Sequence, residues 1–276
     1  MTGWDIPALT LADGRTIPQL GFGTFKVPPD DAERVTSEAL AAGYRHIDTA
    51  AVYENESGVG AAIAASGIPR DQLFVTTKLW NDSHKPDRAR AAINASLEKL
   101  GLDHVDLYLI HWPATVKYGD AYIAAWDALQ EFKSEGLATS IGVSNFYPEN
   151  LDALDGETPV VNQVELHPSF SQAPLRQEMA RRGIVIESWS PLGRGADLGN
   201  PAVAAIATAT GHTPAQVVIR WHLQSGLVVI PKSVMPNRIA ENLGVFDFTL
   251  TDDQMAAIDA INRDARIGSD PATADF

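Results

Sequence analysis

Cysteine is absent from all 276 residues. That excludes a disulfide framework, a thiol nucleophile and a cysteine-ligated metal site. Basic residues are scarce: 21 Lys and Arg stand against 35 Asp and Glu, a formal net charge of -14. This balance opposes a phosphate backbone, so no nucleic-acid partner is expected, and an anionic ligand needs a local basic pocket. Long apolar runs are missing too. The stretch 198–219 has no Asp, Glu, Lys or Arg, but Pro201, Gly211, His212, Pro214 and Gln216 interrupt it, so no membrane span is read. No basic segment precedes an apolar one at the N-terminus, which predicts no signal peptide and a cytoplasmic location.

Familiar catalytic motifs are lacking: there is no G-x-S-x-G elbow, Walker loop or H-E-x-x-H. Gly58-Val59-Gly60 begins like a dinucleotide fingerprint, but Ile63 occupies the third glycine's place. The surrounding alanines make it read as helix packing.

What is present is alternation. Short, apolar, β-branched runs at 19–23, 45–48, 73–79, 105–110, 139–143, 160–165, 184–189 and 227–230 predict strands covered on both faces. Helical periodicity lies between them, over 30–42, 55–66, 86–100, 120–135, 172–182, 236–243 and 251–262. Asp30 or Asp31 is expected to cap the first helix, Gly43 and Gly136 to end theirs, and Thr251 with Gln254 to form a capping box. Eight such units in roughly 250 residues predict a single α/β domain over residues 1–276, a closed (β/α)8 TIM barrel rather than two Rossmann halves. An Asp13-Gly14 turn within 7–17 predicts an N-terminal β-hairpin over the barrel floor.

In such a barrel, chemistry sits at the C-terminal ends of the strands. Those ends carry Asp48, Lys78, His111, Ser144-Asn145, Gln163 to His167, Trp189 and Lys232-Ser233, with Tyr53 just beyond Asp48. A phenol is a reluctant acid at its ordinary pKa of ~10; a neighbouring ammonium lowers it, and reaching ~7 takes about 4 kcal/mol. Asp48 would aim Lys78, and His111 would orient an incoming oxygen. Together the four make a general acid suited to carbonyl reduction. Singly, each has a structural reading: an Asp–Lys pair fixes strand register, and a Tyr packs half-buried. Their convergence on successive strand ends favours chemistry. Glu165 and His167 share a strand face without a third ligand, so they read as a hydrogen-bonded pair and no metal is expected. A hydrolytic barrel would need paired carboxylates, and Asp48 with Glu165 is the one obvious pair.

The stretches GFGTF (21–25), GYRHIDTA (43–50) with Tyr53, TTKLW (76–80), DLYLIHWP (106–113), IGVSN (141–145), NQVELHP (162–168), PLG (191–193) and PKS (231–233) together resemble the aldo-keto reductases, over residues 8 to 263. WND (80–82), IAASG (63–67) and NLGVFD (242–247) are similar to the bacterial 2,5-diketo-D-gluconate reductases of that family. The resemblance implies NADPH as cofactor without a Rossmann fold, and Tyr53 as proton donor with Asp48, Lys78 and His111. It implies that Ser144, Asn145 and Gln163 hold the nicotinamide carboxamide and that Trp189 stacks on the ring. Gly23, Thr24 and Leu192 would line the cofactor. Lys232, Ser233, Val234 and Arg238 would take the 2′-phosphate end, with Glu241 and Asn242 near the adenine. Met235 stands where close relatives carry a further basic residue, which leaves the NADPH-over-NADH preference open. Phe25, Trp80 and Trp112 would wall the substrate pocket, and the short polar tail 264–276 would leave it open. The implied activity is reduction of small aldehydes, dicarbonyls, keto-sugars or keto-acids by a monomer. The alternative is an NADPH-binding regulatory subunit on the same fold, with little turnover.

Overall fold

The computed structural model describes residues 5–276. The chain opens with an antiparallel hairpin, β1 (Ala8–Thr10) and β2 (Thr16–Pro18). Gly14, at φ 82°, makes its turn, a backbone angle that glycine adopts without steric cost. Eight parallel strands follow: β3 (Phe22–Gly23), β4 (His46–Asp48), β5 (Phe74–Leu79), β6 (Val105–Ile110), β7 (Ala138–Ser144), β8 (Val161–Glu165), β9 (Val185–Trp189) and β10 (Val228–Val229). Each pairs with the next in chain order. Leu20 bridges to Val229, Gly21 N donates to Val229 O (2.9 Å) and Gly23 N to Pro231 O (3.2 Å), so the ring closes. The (β/α)8 barrel and its hairpin are those the sequence predicts.

Residues two apart share a strand face, and the inward columns change character from floor to mouth. They run Phe74, Thr76, Lys78 on β5; Val161, Gln163, Glu165 on β8; Val185, Glu187, Trp189 on β9. At the base, Phe74, Leu107, Leu109, Val161 and Val228 cluster with Leu11 and Ile17 of the hairpin, which thus plugs the floor. Asp13 Oδ2 accepts from Ser140 Oγ (2.7 Å) and pins the plug. The larger apolar core lies outside the strands, under the helices.

Helices begin with proline at Pro29, Pro86, Pro148, Pro201, Pro214 and Pro236, where the missing N–H is no loss. This displaces one predicted cap. The first helix starts at Pro29 and makes no side-chain cap bond; Asp30 and Asp31 lie in its first turn, where they favour the helix dipole. Gly43 ends that helix as predicted, and Thr251 with Gln254 forms the capping box. Besides the short helices Thr115–Tyr118 and Pro148–Asp152, two longer ones went unread in the sequence, Pro201–Thr210 and Pro214–Gln224. Among the described residues no single helix is long and apolar enough to cross a membrane; this pair, bent by 94°, passes only by combined length and composition. Gly58 and Gly60 sit in the helix Glu56–Ala65, where a Cβ on Gly58 would come within 2.6 Å of Ala32 Cβ and one on Gly60 would run into the Leu100 carbonyl. They are contact points between helices, as the sequence suggested.

Candidate active site

Asp48 ends β4, Lys78 lies near the end of β5, His111 follows β6, and Tyr53 closes the short turn Ala51–Tyr53. Lys78 is fully buried and donates to Asp48 Oδ1 (2.7 Å), Asp48 Oδ2 (2.9 Å) and Thr49 O (2.8 Å). All three ammonium protons are thereby engaged. The Lys78 nitrogen lies 5.1 Å from the centroid of the Tyr53 ring, which also packs on Phe25 (5.1 Å) and His111 (5.7 Å).

The electrostatics correct one expectation. The Tyr53 phenol is not acidified: burial pushes it up to about 12, Lys78 opposes this, and Asp48 and Glu187 reinforce it. The reason is burial, which outweighs Lys78, an ammonium whose protons also go to Asp48 and Thr49. The phenol therefore stays protonated at neutral pH, which a proton donor requires. Burial pulls Lys78 down, but Asp48 and Tyr53 outweigh it and hold the ammonium above its ordinary value. Burial, then Lys78, holds His111 well below 6.5, so its ring is neutral. The buried His111 Nδ1 has no hydrogen-bond partner among the described residues.

A second group joins this one. Gln163 Nε2 donates to Asp48 Oδ2 and to Glu187 Oε2, both at 2.7 Å. Ser144 Oγ donates to Gln163 O (2.8 Å); Asn145 Nδ2 donates to His111 O and Ser144 Oγ, both at 3.0 Å. Asn145 sits at φ 64°, and its Oδ1 accepts from Trp189 Nε1 (2.9 Å). Ser144, Asn145, Gln163 and Trp189 thus form one connected wall.

Across the barrel closure lies a third group. Lys232, Ser233, Val234 and Arg238 precede or begin the helix Pro236–Glu241, and Lys232, Val234 and Arg238 are exposed. Burial, then the charge of Lys26, lowers the Lys232 ammonium below its ordinary value. Lys26, Lys232 and Arg238 have no carboxylate partner among the described residues, in a chain of net charge -14. Gly23 passes so near the last strand that a Cβ there would meet Ile230 O at 3.0 Å. Thr24 is buried with its hydroxyl donating to Asp48 O (3.0 Å), Leu192 is half-buried against the main core, Glu241 accepts from Thr213 (2.7 Å), and Asn242 is buried.

Trp80 packs edge-on to His111 (5.2 Å), and the tail returns to meet it: Phe276 stacks on Trp80 (5.8 Å, 13°) and lies edge-on to Trp112 (5.1 Å). The short tail therefore covers the aromatic wall rather than leaving it open. Glu165 holds that tail, accepting from Ile267 N (2.6 Å), Gly268 N (2.8 Å) and His167 Nε2 (3.1 Å), while His167 Nδ1 meets Asp197 Oδ2 (2.9 Å). Both ring nitrogens are occupied, so the pair read in the sequence is a chain of three. The sequence reading missed Lys26, Glu187, Asp197 and Phe276. Only Glu187 had a signal, its spacing of two from Trp189.

The family model for the aldo/keto reductase family matches residues 19–263. An aldo-keto reductase of Mycolicibacterium smegmatis is 50% identical over 273 residues, covering 98% of each chain. The methylglyoxal reductase DkgA of Escherichia coli is 48% identical, covering 95% of this chain and 96% of its own. The crystal structure of a mutant of Gox0644 in complex with NADPH superimposes with a TM-score of 0.94 at 46% identity, covering 99% of this chain and 100% of that one. Strand order, mouth residues and these likenesses agree: the chain belongs to the aldo/keto reductase family.

Proposed function

We propose that this protein reduces small carbonyl compounds to alcohols with NADPH, Tyr53 supplying the proton. The observation that carries this reading is the buried Asp48–Lys78 pair set beside a protonated phenol and a neutral imidazole at the barrel mouth.

The residues present fit NADPH. Lys26, Lys232 and Arg238 form an unpaired cationic cluster that suits a 2′-phosphate. Lys26 offers the extra charge that Met235 does not, which supports a preference for NADPH over NADH. Ser144, Asn145 and Gln163 present polar groups for a carboxamide, and Trp189 offers a ring face. Gly23, Thr24, Leu192 and Val234 would line the cofactor, with Glu241 and Asn242 near the adenine. When bound, the dihydronicotinamide supplies a hydride to the carbonyl carbon.

The chain's own groups do the rest. His111, neutral, hydrogen-bonds the carbonyl oxygen and orients it. Tyr53 then gives its proton to the oxygen as negative charge develops there. A phenol near 12 is still a far stronger acid than an alcohol, whose pKa is close to that of water at ~15.7. Lys78, held by Asp48, stabilises the phenolate left behind. Phe25, Trp80, Trp112 and Phe276 make an aromatic wall suited to compact substrates such as dicarbonyls or keto-acids, and DkgA's name as a methylglyoxal reductase supports that class.

The test is NADPH oxidation with a panel of aldehydes, dicarbonyls and keto-acids. Tyr53→Phe is expected to lower kcat by at least about 100-fold and leave the NADPH Kd within about twofold. A fully active variant would remove Tyr53 from the role. Saturable NADPH binding with no oxidation by any carbonyl would favour a regulatory protein on the same fold.

A further inference from the structure

Beneath the Asp48–Lys78 pair lies a carboxyl group for which the mechanism has no use. Glu187 is fully buried on β9. Its Oε2 accepts from Gln163 Nε2 (2.7 Å), and its Oε1 has no hydrogen-bond partner among the described residues. The nearest ammonium, Lys78, has already given its three protons to Asp48 and Thr49. A buried carboxylate without a cation is costly.

A proton inventory shows how the cost is avoided. His46 Nδ1 faces Pro18 O at 3.3 Å, so that nitrogen carries the ring's proton. Nε2 then carries no proton; it accepts from the Thr76 hydroxyl (3.3 Å) and lies 3.5 Å from Glu187 Oε1. Two lone pairs would face each other across the 3.5 Å gap unless a proton sits on one side. Burial pushes His46 down to about 4, so the proton belongs to Glu187.

We propose that Glu187 is a positioning residue: an uncharged carboxylic acid, bridging His46 and Gln163, that locks the Gln163 amide with its Oε1 toward the cofactor wall. Both Nε2 protons of Gln163 are given away downward, to Asp48 and Glu187, and Oε1 accepts from nothing among the described residues. The amide can then only accept from a carboxamide N–H₂, never donate to it. The groups facing Glu187 are His46 and Asp48 from β4, Lys78 from β5 and Tyr53 beyond β4; β10 offers Val228. Burial, then Asp48, raise Glu187 to about 8, against smaller lowerings by the Gln163 hydrogen bond and by Lys78. The role in cofactor orientation rests on the reading of Gln163 above; the uncharged state does not.

Two experiments separate these parts. The first is thermal melting of the cofactor-free protein against pH, wild type beside Glu187→Gln. An unfolded Glu ionises above ~4.5 while the native one stays protonated to about 8. Wild type therefore binds more protons folded than unfolded in that window, and this group's contribution to stability declines as pH rises through it. The Tm advantage of Glu187→Gln is expected to widen from pH 5 to 8 and then level off. A gap independent of pH, or one that narrows, overturns the uncharged state, whatever Tyr53 does.

The second is NADPH Kd by tryptophan fluorescence, without substrate. Glu187→Gln, which keeps an acceptor for Gln163 and a donor for His46, is expected within about twofold of wild type. Glu187→Ala frees the Gln163 amide and is expected to weaken binding about tenfold. Equal loss in both variants, or loss in neither, overturns the positioning role. Tyr53→Phe activity, measured separately, reports on the proposed reaction alone.

Discussion

Burial pushes the imidazoles of His46, His84 and His222 down to about 4. In the unfolded chain they titrate near ~6.5, so between those values the unfolded state binds more protons than the native one. The stability they contribute is complete above ~6.5 and is lost as pH falls toward 4, by roughly 3 kcal/mol for a fully buried group such as His222. Tm is expected to fall steadily over that window; a flat profile would show that these rings titrate normally. The convergence of the candidate side chains was legible because strand ends in a barrel meet at its mouth, whatever the loops do. Their charges were not. That Tyr53 is raised rather than acidified depends on how deeply the fold buries its ring, and Glu187, marked in the sequence only by its spacing from Trp189, gains its meaning once register places it inward beside Gln163.

Among the elements, helix contacts were readable where glycine permits close approach. Gly60→Ala is expected to destabilise by roughly 2 kcal/mol, lowering Tm by about 5 °C, because its Cβ would meet rigid backbone at Leu100. A wild-type Tm would place those helices further apart. The helices Pro201–Thr210 and Pro214–Gln224 were missed although Thr213 and Gln216 form the same capping box as Thr251 and Gln254. The stretch 198–219, free of Asp, Glu, Lys and Arg, drew a reading about membranes, and the alanines of the first helix blur its apolar stripe. The tail was misjudged because its grip on Glu165 is made by backbone amides, which no side-chain pattern records. Phe276→Ala is expected to raise KM for small dicarbonyls several-fold with little change in kcat, since it touches Trp80 and Trp112 but not Tyr53. A fall in kcat alone would tie the tail to the chemical step.

For the molecule as a whole, a net charge of -14 surrounds the neighbouring cations Lys26 and Lys232, with Arg238 on the helix that follows. Lys232→Ala or Arg238→Ala is expected to weaken NADPH more than NADH, and raising salt from 0.1 to 1 M to shrink the preference, because the two cofactors differ only in a phosphate. Equal losses would move the phosphate elsewhere. The circular strand order followed from alternation alone, but the place of closure did not, since the first and last strands are two residues each and carry almost no pattern.

Those two staves meet through Leu20 and Val229, so the barrel has a thin seam with few rungs, and Lys26 and Lys232 stand on opposite banks of it. A dinucleotide gripped by both would act as a rivet. The amides of Gly21, Gly23 and Val229 should exchange with deuterium sooner than those of β6 in the empty protein, and slow selectively once the rivet is in place.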